Sequence, residues 1–189
     1  MTDAPDAPDA SVGPGDGPGS APDPDIDRAA DPDVFRAAVA RLPAGVVVVS
    51  VHWRGIDYAM TASAVTSVSL DPPMLLFCVH VDARFRDALD DVDLWAVSVL
   101  SETAGPVAAW LASPGRPAVG QLARVPHTRA PRSGAAWVDD AAAWFECRTA
   151  AVYPAGDHDI VVGTVLEARQ GAPAAGGIVH LRGRMRPVV

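Results

Sequence analysis

The stretch AMTASAVTSVSLDPPMLLFCVH, Ala59 to His80, sets a hydroxyl-rich segment directly against an apolar run. Thr61, Ser63, Thr66, Ser67 and Ser69 fall within nine residues, and Asp71-Pro72-Pro73 then breaks the pattern before Met74–Val79. By period, "YAMTASA" opens a strand and "VTSVSL" is a second, with Val65 opposed to Ser67 and Ser69. "MLLFCV" is a third. Hydroxyls packed this densely beside a buried strand form either a polar strand face or one wall of a pocket. A ligand for such a pocket would be rich in oxygen and nitrogen.

The flanking sequence extends the β pattern. "VVVVSVHW", from Val46 to Trp53, is a β-branched run with no alternation, so it predicts a strand buried on both faces. "RGID" turns the chain from it into the hydroxyl segment. Upstream, "DPDVFRAAVARLPAG" predicts a helix capped by Asp31, with Pro32 in its first position and Phe35, Val39 and Leu42 on one face. Downstream, "ARFRDALDD" predicts a short helix, "LWAVSVL" a strand, and "ETAGPVAAWLA" a helix with Pro106 in its first turn. "SPGRPAVGQLARVPHTRAPRSG" predicts a covering loop. "AAWFECRTAAVY" and "HDIVVGTVLEAR" predict two long strands joined by "PAGD", and "GIVHLRGRMRPV" a single last strand. Six or more strands with a few irregularly placed helices point to a mainly β fold, a β-barrel with helical decoration.

The bulk numbers bound the function. The chain has 189 residues, 49% of them hydrophobic, enough for one domain with a real core. Residues 1–30, rich in Asp, Ala, Pro and Gly, are expected to be a disordered acidic leader, and 31–189 the working domain. The leader holds seven Asp and one Arg, so −6 of the formal charge of −8 lies there and the rest is close to neutral. No basic stripe marks a nucleic-acid partner. No apolar run is long enough for a membrane span, and no secretory signal is seen. Cys78 and Cys147 read as buried free thiols, which suggests the cytoplasm. There is no phosphate-binding glycine loop and no nucleophile elbow. "DHD" at 157–159 lacks a second cluster with metal-ligand spacing, so no metal site is expected.

What remains is the hydroxyl segment, the arginine-bearing "DARFRDAL" and His158. An arginine at a helix start suits a phosphate. Ring, polyol and phosphate together describe a flavin mononucleotide, while a polar strand edge with a surface arginine stays open. The chain resembles the flavin reductase family of FMN-binding split-barrel proteins, which includes the reductase components of two-component flavin monooxygenases. The resemblance runs from about Phe35 to Val188 and rests on "FRAAVARLPAGVVVVS", "MTASAVTSVSLDPPMLLFCV", "WAVSVL", "WFECRTAAVYPAGDHDIVVGTV" and "GGIVHLRG".

The resemblance implies a Greek-key split β-barrel in a homodimer, with flavin near the subunit interface. It implies flavin contacts from Thr61, Ala62 and Ser63 and from Ser67, Val68 and Ser69. It implies phosphate contacts from Asp82, Ala83, Arg84 and Phe85, and a catalytic His158 where the nicotinamide is handled. Many relatives carry Asn in place of Ser63, and a Ser and a Thr in place of Ala83 and Phe85. The activity implied is NAD(P)H:flavin oxidoreduction, with hydride passing from NADH or NADPH to FMN, or alternatively FAD, for a partner monooxygenase. Two other readings stay open: a flavin enzyme of another reaction type on the same barrel, and a non-catalytic flavin binder or redox sensor.

Overall fold

The computed structural model describes residues 29–117, 119–172 and 176–188. The expected leader therefore lies almost wholly outside the described residues. Asp31 caps α1 (Pro32–Val39) as anticipated, its carboxylate accepting from the backbone N–H groups of Asp33 at 2.8 Å and Val34 at 3.2 Å. No residue of α1 is buried.

Among the described residues twelve strands follow in chain order: β1 (Ala44–Gly45), β2 (Val47–Trp53), β3 (Ile56–Ala62), β4 (Val65–Leu70), β5 (Pro73–His80), β6 (Leu94–Val99), β7 (His127–Arg129), β8 (Ala136–Val138), β9 (Ala143–Ala155), β10 (His158–Gln170), β11 (Gly177–Leu181) and β12 (Arg184–Val188). Helices α2 (Arg84–Asp91) and α3 (Gly105–Ala112) follow β5 and β6. Seven strands form one antiparallel sheet in the order β3-β2-β6-β9-β10-β5-β4. Its two edge strands, β3 and β4, are consecutive in the chain yet do not pair, so the barrel is open between them.

Strand β2 is buried on both faces, as its sequence implied. Val47, Val49 and Val51 enter one core with Phe77, Trp95 and Val161. Val46 and Val48 enter a second with Leu111 of α3 and with Leu122 and Val125 of the following loop. That loop is thus the cover its sequence suggested, although it also contributes β7, which pairs with β8 just beyond the loop's end. Cys147 is fully buried in the first core, where burial first and the Glu146 charge second push its thiol up to about 12.

Two expectations need correction. "GIVHLRGRMRPV" is not one strand but the β11–β12 hairpin, turned by Arg182 and Gly183 at φ 53° and 70°. The same Arg-Gly device turns β2 into β3 at Arg54 and Gly55, because two left-handed residues match the twist of a tight hairpin. In β4, Val65 and Ser67 share strand parity and are not opposed; a register shift between Ser67 and Ser69 alters the phase beyond them. Register also shifts in β10 between Val162 and Gly163. A Cβ at Gly163 would lie 2.3 Å from Cζ2 of Trp95, so the strand closes over that ring only because the side chain is missing.

Candidate functional site

The anticipated residues divide into three places. On β3, the Thr61 hydroxyl donates to the Ala108 carbonyl of α3 at 2.7 Å, so it is committed to packing. Ala62 is buried in the first core. Ser63, in the link to β4, lines a largely apolar groove of about 440 Å³ with Val39 and Leu42. Farther along β4, Ser67 and Val68 are exposed, and the Ser69 hydroxyl accepts from the Asp71 N–H at 3.2 Å. Register fixes the spacing: the Ala64 carbonyl accepts from the Cys78 N–H, while Ser69 lies opposite Met74. Four residues of β5 separate those levels, about 13 Å at ~3.3 Å per residue.

The third place is where β5 ends and β10 begins. His158 lies opposite His80 on the neighbouring strand, and their rings meet edge to face with centroids 5.2 Å apart. His158 Nδ1 bonds Asp157 at 2.7 Å, and the charge-assisted contact holds the Asp157 carboxyl below its ordinary range. His80 Nδ1 accepts from the Asp82 N–H at 3.1 Å, which shapes the entry to α2. His80 was not singled out from sequence, although it closes the opening stretch; only the strand register reveals its pairing with His158.

Helix α2 separates its own residues by role. Phe85, 5% exposed, is a core residue set edge to face against Phe77. Its ring faces inward, which leaves only its backbone for the anticipated phosphate contact. Arg86 is tied to the buried Asp159 and to Asp90, and these bonds hold its guanidinium pKa above the usual value. Arg84 opens the helix, exposed, with no carboxylate partner among the described residues. Ala83, the residue before it, offers no side-chain cap.

Arg84 lies on the rim of a cleft of about 310 Å³. The cleft is bounded by Tyr58 and Ala59 of β3, by Ala83 to Phe85, and by the loop after α3 through Arg116 and Gln121. Arg116 donates to the carbonyls of Ser113 at 2.6 Å and Ala59 at 3.1 Å. Its Nε is buried with no hydrogen-bond partner, and burial pushes its pKa down. Sequence reasoning missed Arg116; the available signal was an arginine set within a Ser-Pro-Gly-Arg-Pro turn, where Gly115 takes φ +74°. Among the described residues the cleft carries two arginines and no carboxylate. That charge pattern fits a ligand bearing phosphate.

An open antiparallel barrel with a cationic cleft at its rim defines a split-barrel protein equipped to hold an anionic ligand. The comparisons narrow this class. The profile of the family described as "Flavin reductase like domain" matches residues 39–188, and the chain belongs to that family. It is 39% identical over 150 residues to the actinorhodin polyketide dimerase of Streptomyces coelicolor, covering 77% of this chain and 82% of that protein. It is 37% identical over 165 residues to an NADH-dependent FMN reductase, AsuE2, of Streptomyces nodosus subsp. asukaensis, covering 84% and 87%. Among solved structures, the flavin reductase component BorF of a bacterial two-component tryptophan halogenase superposes with TM-score 0.78 at 38% identity, covering 84% of this chain and 98% of that one.

Proposed function

We infer that this chain is an NADH-dependent flavin reductase using FMN or FAD, a component that supplies reduced flavin to a partner oxygenase. The observation that carries the reading is the carboxylate-free, two-arginine cleft at the open rim of a barrel whose relatives are named as NADH-dependent flavin reductases. The cofactors supply the chemistry, hydride transfer from nicotinamide to flavin. The protein binds, orients and excludes water. Arg84 holds the flavin phosphate. Backbone groups of Thr61, Ala62 and Ser63 and of Ser67, Val68 and Ser69 face the ring system, since the Thr61 hydroxyl is already engaged. His158, half-exposed beside His80, helps to seat the nicotinamide. No nucleophile is required.

The working unit is a homodimer. α1 and the turn after it leave Val34, Phe35, Val39 and Leu42 exposed, and the groove beside them continues through Ser63 and Ala64 to the unpaired edge of β4. A second copy laid there covers the apolar helix face and the edge together. Free thiols at Cys78 and Cys147 support a cytoplasmic setting. No helix among the described residues is long and apolar enough to cross a membrane. Residues 31–189 are the functional unit in this reading, so removing residues 2–28 leaves turnover unchanged.

The deciding measurement is NADH and NADPH oxidation with added FMN and FAD, beside light scattering at micromolar concentration. Flavin-dependent NADH oxidation by a dimer is expected. Absence of flavin turnover defeats the activity, and a monomer defeats the assembly. The 39% identity to a polyketide dimerase favours one second reading, a flavin enzyme acting on its own organic substrate. In that case flavin would remain bound through repeated gel filtration instead of being released.

A further inference from the structure

The charge of this chain is divided unevenly. Residues 1–30 hold seven aspartates and one arginine, a net −6 of the total −8. On the folded body, Arg41, Arg182, Arg184 and Arg186 are exposed and have no carboxylate partner among the described residues. These four lie together. The Arg182 N–H donates to the Ala40 carbonyl at 2.7 Å, which ties the β11–β12 turn to the end of α1 beside Arg41. In the hairpin, Ile178 is buried and Met185, opposite His180, packs against the second core. Arg184 and Arg186 alternate with Met185 and therefore point away from that core. Val179 lies opposite Arg186, and Gly45 of β1 lies opposite Val179, with open space where its side chain would be. The outer face of the three-stranded sheet is thus a shelf of cationic arms beside uncovered backbone.

We propose that this face docks the chain's own acidic leader, with Asp23, Asp25 and Asp27 set against the four arginines. Charge, spacing and reach support this occupant. Asp23, Asp25 and Asp27 alternate with Pro24 and Ile26, the same two-residue spacing at which Arg184 and Arg186 stand. Asp27 stands five residues before Pro32, a reach of up to about 17 Å at ~3.3 Å per residue. α1, eight residues at ~1.5 Å each, is about 12 Å long, so the leader can fold back along it to the hairpin. Single exposed ion pairs contribute little. Docking therefore depends on several acting at once, and on a tether that holds the carboxylates at an effective concentration on the order of millimolar. The docked leader neutralises a patch that otherwise attracts acidic surfaces from solution. The groove offered to a second copy uses His180, on the other face of the hairpin. The shelf also belongs to a different sheet from the cleft, so the proposal does not rest on the flavin reductase reading.

The test is paramagnetic broadening in the full chain. A nitroxide on Ser20→Cys, in a Cys78→Ser background, reports its proximity through the backbone N–H signals of Leu181 to Arg186. Cys147 is fully buried and stays unlabelled. Loss of those signals at low salt is expected, with recovery in about 0.5 M salt, where charges a few ångströms apart are screened. Recovery is also expected in the double variant Arg184→Gln, Arg186→Gln and in the triple variant Asp23→Asn, Asp25→Asn, Asp27→Asn. Should the arginine variant fail to fold, the aspartate variant still decides. Signals that survive at low salt, or that are lost equally in both variants, would overturn the proposal. Equal loss with the spin label and the isotope label on separate, mixed chains would place the leader on a second copy and overturn it too. Hairpin signals untouched by the leader but shifted by added polyglutamate would give the face to a separate acidic partner instead.

Discussion

The two edges of the seven-stranded sheet are treated in opposite ways. The β3 edge is strapped. Gln121 and Arg116 donate to the carbonyls of Asp57 and Ala59, Thr61 reaches α3, and Arg129 grips the Asp57 carboxylate through both terminal nitrogens. The β4 edge is bare, with Val68 47% and Leu70 89% exposed. An unpaired strand edge invites another chain, and proteins cover the edges they do not use. The covered edge thereby becomes the wall of a cleft, while the bare edge is left open to another chain. One sheet thus supports a pocket at one edge and, in the proposed dimer, an assembly surface at the other.

The strongest way to break this contrast is to loosen α2, which packs against β2, β3 and β5 behind the covered edge. Phe85→Ala removes its buried anchor and should cost about 3–5 kcal/mol of stability. Chemical denaturation measures it, and a cost below 1 kcal/mol would return Phe85 to the ligand surface. Next comes Arg84→Ala, which should weaken FMN binding by about 1.5–3 kcal/mol and leave riboflavin nearly unaffected. Equal losses for both ligands would place the phosphate elsewhere than the covered edge.

His158 lies on neither edge, which sharpens the comparison. His158→Ala should raise the KM for NADH or lower turnover by up to about a hundredfold, with flavin affinity little changed, because the loss is one of positioning. Unchanged steady-state kinetics would make it an ordinary turn histidine.

Asp57 tests the strap itself. Burial pushes its carboxyl up, but the hydrogen bonds and charges of Arg129 and His52 more than reverse this, so it titrates below its ordinary value. A depressed carboxylate contributes stability that is full above its unfolded pKa and is lost as pH falls through the folded one. Asp57→Asn should therefore cost about 1 kcal/mol at pH 7, discounted for the half-exposed Arg129. The difference from wild type should shrink below about pH 4. A gap independent of pH in urea titrations would rule out the ion pair as its cause. The smallest expected effect is on the bare side. Val68→Lys should leave the stability of the single chain within about 0.5 kcal/mol while shifting the dimer towards monomer in light scattering.

Much of this organisation is legible in the chain. The unbroken valine run marks β2 as buried twice over, and Asp31-Pro32 marks a helix start by capping chemistry alone. The limits are equally physical. "RGRM" reads like strand because arginine is a permissive residue, and only the left-handed backbone at Arg182 and Gly183 makes a hairpin of it. Phe85 and Arg84 are neighbours in sequence, but helical geometry sends one into the core and leaves the other in solvent. Arg116 stands 57 residues from the carbonyl it grips, and no local pattern announces such a contact.

Cys147 carries a consequence of another kind. With its thiol pushed up to about 12, the reactive thiolate is on the order of one molecule in 10⁵ at pH 7. Reduced flavin consumes oxygen and yields peroxide, so a flavin reductase works beside an oxidant. Oxidation of cysteine begins at an accessible thiolate, and Cys147 offers neither access nor charge. Cys147 is thus held out of reach of that peroxide.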